Sequence, residues 1–382
     1  MTMKYGAITL DTSIFDRYGI RLTSNPLKSL EQFKGKPAGL VVSEVVYQEV
    51  LSHLKREIED AKQKVGKGLR EAPRLQLDGT VIESALTELD AIDPEVLARY
   101  QLAEFKSATG LEEVPAERYV RVGDLLTKYF ASLPPFAKAG QKKSEFPDAI
   151  CLMSLEAYAK EKNFRIVAVS ADKDWAGFAK NSEWIDVEED ISKAIALFQP
   201  QKVAYDLCAD LEENWDELKY RNFQGELAAL IENRVAEMDV EVDADSYLHW
   251  ELSSMEIHLE SYELATTSRG PSIRPIRIHS SEATFAAKIN VDCVADVEFS
   301  FSAYDSIDKD YTVLGGCSDS SNFTFRAEIF VTVSGSLDGD PEELDIDNLD
   351  MAFPRVRVRF SGIEPNWHND DYDNDDSEIG DD

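Results

Sequence analysis

Residues 146–175, FPDAICLMSLEAYAKEKNFRIVAVSADKDW, decide the fold. An acid opens a helix, an apolar strand follows, and two further acids come as that strand ends: Asp148, then Val167 and Val169, then Asp172 and Asp174. A helix feeding a short buried strand is the building unit of a parallel sheet with helices on its faces. Two carboxylates at the mouth of such a strand either cap a helix or hold a metal. Which they do depends on whether other acids reach the same place.

Working outward, residues 5–10 and 39–43 (GLVVS) read as two more short buried strands. A long helical region is expected over residues 44–129, with breaks at Gly66 and Gly68, Pro73, Asp78–Gly79 and Pro94; Ile82, Leu86 and Leu89 show its three-and-four spacing. Residues 134–141 read as a loop. After Asp174 the pattern predicts a short helix at 175–180, a strand at 184–187 and a helix at 188–198. Residues 203–238 are helical by the spacing of Leu207, Leu211, Trp215 and Leu218, then Leu227, Leu230 and Ile231. From about Val240 the period becomes two, as in Ile289, Val291, Cys293 and in Phe323, Phe325, Ala327, Ile329, which predicts an antiparallel sheet or sandwich. The fold class is therefore α/β: a parallel sheet flanked by helices with a long helical insertion (about 55–145), then a mainly antiparallel β region. The expected divisions are residues 1–199, a helical connector at 200–238, an acidic β-rich domain at 239–366 and a disordered acidic tail at 367–382.

The net charge of −33 is unevenly spread. Residues 1–200 hold 27 Lys and Arg against 31 Asp and Glu; the remainder holds 13 against 42. The acidic half repels nucleic acid, whereas the near-neutral half is open to it through a local basic patch. No run of apolar residues is long enough to span a bilayer, and the N-terminus has no signal-peptide pattern. Cys151, Cys208, Cys293 and Cys317 form no CxxC pair, and the five histidines show no zinc spacing. Buried free thiols and a reducing cytoplasm are the expectation.

Open parallel sheets bind ligands beyond the carboxyl ends of their strands. Asp11 follows the first strand directly, Glu49 lies six residues past Ser43, Asp148 opens its helix, and Asp172 and Asp174 follow RIVAVSA. Each has an ordinary reading as an N-cap, a helix-dipole partner or a solvated side chain. Together, four carboxylates at one sheet edge repel each other, which a cation between them relieves. Hard oxygen ligands select Mg²⁺ or Mn²⁺.

In this order and context the segments resemble the PIN-domain nucleases: LDTSIF the first motif, VVSEVVYQEV the second, DAICLMSLEAYAKE the third and VSADKDW the fourth. The resemblance covers residues 4–198 and is nearest to the larger bacterial PIN-like proteins with a helical insertion. It implies that Asp11, Glu49, Asp148 and Asp172 bind the metal, with Asp174 as a helper or the true fourth ligand. Glu44 competes with Glu49, but the motif's spacing favours Glu49. Thr12 or Ser13 would orient Asp11 or a metal-bound water, and Ser170 stands where the family often has Thr or Ser. The implied activity is Mg²⁺- or Mn²⁺-dependent endonucleolytic hydrolysis of RNA by an activated water, leaving a 5′-phosphate and a 3′-hydroxyl. A catalytically silent PIN-like scaffold that binds RNA or a protein is the alternative. Bacterial PIN proteins include toxins and defence effectors, and a large fused acidic region points to a regulated defence or stress enzyme.

Candidate RNA contacts are Lys55 and Arg56, at the head of a basic run to Arg74, and Lys142 and Lys143 just before Asp148. Interleaved acids make the run equally readable as a solvated helix face. Arg355, Arg357 and Arg359 share one strand face, and pairing with acids such as Asp345 and Asp347 is expected. The β-rich region is a candidate for a protein partner or self-association. The tail is read either as a solubiliser or as a nucleic-acid mimic covering the basic channel.

Overall fold

The computed structural model describes residues 5–72, 78–136, 145–198, 202–216, 221–266, 270–279, 281–305, 310–337 and 343–366. Its strands are β1 (Tyr5–Leu10), β2 (Gly39–Ser43), β3 (Glu112–Val114), β4 (Arg165–Val169), β5 (Ile185–Glu188), β6 (Val240–Asp245), β7 (His249–Leu264), β8 (Ile273–His279), β9 (Glu282–Asp305), β10 (Asp310–Ser334), β11 (Asp345–Ala352) and β12 (Val356–Ser361). Its helices are α1 (Thr12–Arg17), α2 (Glu44–Glu71), α3 (Gly79–Ala91), α4 (Pro94–Thr109), α5 (Ala116–Tyr119), α6 (Val122–Ala131), α7 (Phe146–Lys162), α8 (Lys173–Ala179), α9 (Ile191–Ala196), α10 (Lys202–Glu213) and α11 (Arg221–Ala236). They form two compact units. One comprises Met1–Phe223, Arg269–Ala287 and Ile329–Ala352; the other Gln224–Ser268, Lys288–Glu328 and Phe353–Asp382.

The first unit is built on a parallel sheet ordered β3-β2-β1-β4-β5. Its strands are apolar runs because helices cover both faces, so alternate residues are buried alike: Ile8 and Leu10 in β1, Leu40 to Val42 in β2, and Ile166 to Val169 in β4. In register, Leu10 faces Val169 and Ile8 faces Val167 across β1 and β4, while Ile8 faces Leu40 across β1 and β2. From β1 the chain goes to one side, through β2 and β3, and then returns to the other. This reversal puts a crevice at the carboxyl ends of β1 and β4.

Two local departures from the expected pattern have physical causes. Gly66 and Gly68 do not break α2, which runs unbroken to Glu71. Gly66 is buried beside Leu89 of α3, where a Cβ would lie 3.4 Å from Leu89 Cδ2, and the helix tolerates both glycines at a cost of roughly 1 kcal/mol each. The long helical region also contains β3, three residues paired to β2 with only Val114 fully buried, too short to show a period.

The first unit is discontinuous in sequence. Ile276, Ala286 and Phe330 belong to the same buried cluster as the strands of the parallel sheet. Phe330 meets the Tyr18 ring edge-on at 5.9 Å. Gln32 Nε2 donates to the carbonyl of Ile276 at 2.6 Å. Asn25 donates from its amide (2.9 Å) and its side chain (3.0 Å) to Asp350.

In the second unit, β7 runs antiparallel to β9. The arginine stripe corrects an expectation: Arg357 pairs with Glu241 at 2.8 Å and Arg359 with Asp243 at 3.1 Å, not with Asp345 or Asp347. The reason is a parallel ladder, β12 on β6, whose register sets Arg357 opposite Glu241 and Arg359 opposite Asp243. Asp347 instead accepts from Ser334 Oγ at 3.0 Å. Among the described residues no helix is long and apolar enough to cross a membrane.

Candidate functional site

The acids gather where β1, β2 and β4 end. The Asp11 amide donates to the Val169 carbonyl at 2.9 Å, carrying the β1–β4 ladder one residue past the strand and fixing the Asp11 backbone against β4. Its carboxylate is almost fully buried and is held by hydroxyls: Ser13 Oγ (2.6 Å) and the buried Ser170 Oγ (2.9 Å) both donate to Oδ2. Of the two hydroxyls next to Asp11 in sequence, Ser13 is the one that contacts its carboxylate, whereas Thr12 Oγ1 donates to Glu49 Oε2 at 2.6 Å and so ties α1 to α2.

Glu49 reaches this place because α2 starts where β2 ends. Ser43 caps α2 by accepting from the Val46 amide at 3.2 Å. Val46, Val50, Leu51 and Leu54 turn into the core, setting the face on which Glu49 lies. Glu44 is occupied elsewhere, accepting the Ala116 amide at 3.0 Å where α5 begins. Asp148 stands in the first turn of α7, after Pro147, and its Oδ1 accepts from the Trp175 indole at 3.1 Å. Sequence reasoning missed that donor; the signal was an aromatic after VSADKD whose polar edge needs a partner when buried.

Asp172 is exposed and caps α8, its Oδ1 accepting the Asp174 amide at 2.6 Å, while its own amide donates to Ser170 Oγ at 3.0 Å. Ser170 therefore bridges Asp11 and the Asp172 backbone.

Burial raises the Asp148 carboxyl to about 6. The Trp175 hydrogen bond works against that rise, and the negative charges of Asp11, Asp172 and Glu49 add to it. Asp148 thus feels the acids of the other three motifs. One turn further along α7, burial pushes the Cys151 thiol up, and the charges of Asp11, Asp148 and Glu49 act in the same direction. Asp174, half-buried in the first turn of α8, is raised by burial and then by Asp172 and Glu145.

The donor set suits a hard cation. Asp11 Oδ1, Glu49 Oε1 and Asp148 Oδ2 take no hydrogen bond among the described residues, so each acid keeps an oxygen for a ligand. Among the described residues, no three or more His, Cys, Asp or Glu side chains stand in a group that could hold a metal ion as they are placed here. Of the basic candidates, Lys55 pairs with Glu95 at 3.2 Å and Glu59 at 4.0 Å, while Arg56 is exposed. Lys62, in the same run, donates to the carbonyls of Asp90 and Ile92 at the end of α3. Lys142 and Lys143 lie outside the described residues.

The family model for the PIN domain matches residues 8–175, a span that contains all four acids. The chain carries a PIN domain. No curated protein and no solved structure matches the chain. PIN domains are in general nucleases, so the region is of nuclease type, its expected ligand is nucleic acid, and divalent metals are the family's usual cofactors.

Proposed function

We propose that this protein is a metal-dependent endoribonuclease acting in the cytoplasm. The single observation that supports it best is the convergence of acids at the carboxyl ends of the strands: the Asp11 amide is bonded to the last residue of β4, Glu49 is tied to Thr12 beside it, and Asp148 is close enough for the charges of Asp11, Asp172 and Glu49 to add to the rise that its burial causes. Asp11, Glu49, Asp148 and Asp172 would hold Mg²⁺ or Mn²⁺, with Asp174 at the edge. A divalent cation supplies Lewis acidity and makes water a nucleophile at neutral pH.

The chain's own residues do the rest. Ser13 and Ser170 fix which Asp11 oxygen is left for the ligand, Thr12 does the same for Glu49, and Trp175 for Asp148. Residues 1–199 form the PIN-like nuclease domain in this reading. Arg56 and the lysines 142 and 143 supply phosphate contacts, and Lys55 joins them only by leaving Glu95. The β-rich region at 239–366 regulates a defence or stress effector. The direct test is cleavage of labelled single-stranded RNA in Mn²⁺ or Mg²⁺. Cutting that chelation abolishes, and that Glu49→Gln reduces by at least about 100-fold, is the expected outcome. Cutting by Glu49→Gln at the wild-type rate counts against it.

A second reading, a silent scaffold that binds RNA or a protein, draws on one observation. Asp172 is exposed and already caps α8, leaving three acids about the crevice without it. It predicts RNA binding with no cutting and no metal dependence.

A further inference from the structure

The outward face of the β7–β9–β10 sheet in the second unit changes character along its length. Register on β7 and β9 sets His249 opposite Ser302, Glu251 opposite Ser300, Ser254 opposite Glu298 and Glu256 opposite Asp296. The alternate residues, Val297, Phe299 and Phe301, are buried, so this set faces out. At the end where β9 meets β10 the face is aromatic: the Tyr304 and Tyr311 rings lie 5.5 Å apart, and His249 lies 5.2 Å from Tyr311. Tyr304 is 57% exposed, Tyr311 54% and Val313 75%. Next to this tip the face is acidic. Glu251, Glu256, Asp296 and Glu298 are all exposed; among the described residues, imidazoles lie beside three of them, His258 at 3.5 Å from Asp296 and 3.7 Å from Glu256, and His249 at 3.8 Å from Glu251.

We infer that this face is a docking surface for a protein partner that presents an arginine-bearing basic segment. Tyrosines offer large rigid area at little entropy cost and are enriched at the centres of interfaces. The acids beside them decide the partner. A guanidinium stacks on a tyrosine face while neighbouring carboxylates take its N–H donors, so rings and acids act on the same group. Nucleic acid is disfavoured because its phosphates would meet four carboxylates. A second copy laid on this face would set the same carboxylates against each other. The proposal does not depend on nuclease activity.

The test uses the full chain and a fluorescently labelled nona-arginine peptide, followed by anisotropy over a salt series. Saturable binding that weakens at least about tenfold in Tyr304→Ser/Tyr311→Ser, which removes the rings that stack on the guanidinium, and also in Val313→Lys, which sets a cation beside them, is expected. Bulk charge attraction alone would leave both variants binding like wild type, and that result overturns the proposal. So does absence of binding. Concentration-dependent self-association abolished by Val313→Lys would assign the face to a second copy instead. Val313→Lys sits at an exposed site and keeps the test decisive should the tyrosine pair fail to fold, as monitored by circular dichroism.

Discussion

The two units treat their acids in opposite ways. In the second unit several carboxylates are individually answered: Glu241 by Arg357, Asp243 by Arg359, Asp292 by the hydroxyls of Ser261 and Thr324. In the first unit the four acids of the motifs lie at one sheet edge, and among the described residues their hydrogen-bond partners are neutral: three hydroxyls, an indole and a backbone amide. The half of the chain with most of the negative charge is therefore not where negative charge is under strain. What marks a candidate site is acids left without cations, not acids counted. This also separates the roles of the arginines, which stiffen a parallel ladder in one unit, from the hydroxyls, which aim a carboxylate in the other.

The comparison can be broken at several points. The largest effect concerns the make-up of the first unit. Phe330→Ala removes a fully buried ring contributed from far along the chain, and a loss of about 3–5 kcal/mol is expected by urea titration. A loss under about 1 kcal/mol would mean that the segment Ile329–Ala352 is peripheral to the PIN domain. Next, Ser170→Ala takes away the hydroxyl that joins Asp11 to the Asp172 backbone. Mn²⁺ affinity or cleavage should fall about 10–100-fold with the melting temperature little changed. An unchanged value would make Ser170 a packing residue only.

The strain itself can be read from pH. Asp148 has its carboxyl raised in the folded protein, so its ionisation opposes folding; that cost is absent at low pH and grows as pH rises through about 6. In EDTA, Asp148→Asn should therefore raise the melting temperature at pH 7.5, by about 2–4 °C for each kcal/mol relieved, and leave it unchanged near pH 4. Equal effects at both pH values would show that ionising Asp148 carries no such cost. The smallest effect belongs to the other unit. Arg359→Ala opens an exposed ion pair and should cost about 0.2–1 kcal/mol, decreasing in high salt. A larger loss would mean that the β12–β6 ladder depends on charge more than on Val358 and Phe360, which are buried.

Much of this was legible in the sequence, for identifiable reasons. β1, β2 and β4 are short apolar runs bounded by an acid or a capping serine, so both the strands and the positions just past them could be read from Asp11, Ser43 and Asp172. The partners of those acids were half legible: Ser13 and Ser170 follow from neighbouring strand ends, but the Thr12–Glu49 bond and the Trp175 donor need the packing of α1 on α2 and of α7 on α8. Long-range pairing was not legible. Nothing in RVRVRF announces that its partners lie at Glu241 and Asp243 across a parallel ladder, rather than in the nearer LDID. Nor does the even alternation along β9 announce that residues 282–287 belong to one unit and 288–305 to the other. Period two reports which face is buried, not what buries it.

The central claim is that Asp11, Glu49, Asp148 and Asp172 share a cation. Calorimetric titration of Mn²⁺ into wild type and Asp11→Asn, at pH 5 and pH 7.5, tests it most directly. The account predicts saturable binding to wild type that is tighter at pH 7.5, because Asp148 must lose its proton, and that is lost in Asp11→Asn. Binding that ignores the Asp11 substitution, or no binding to wild type at either pH, would contradict it.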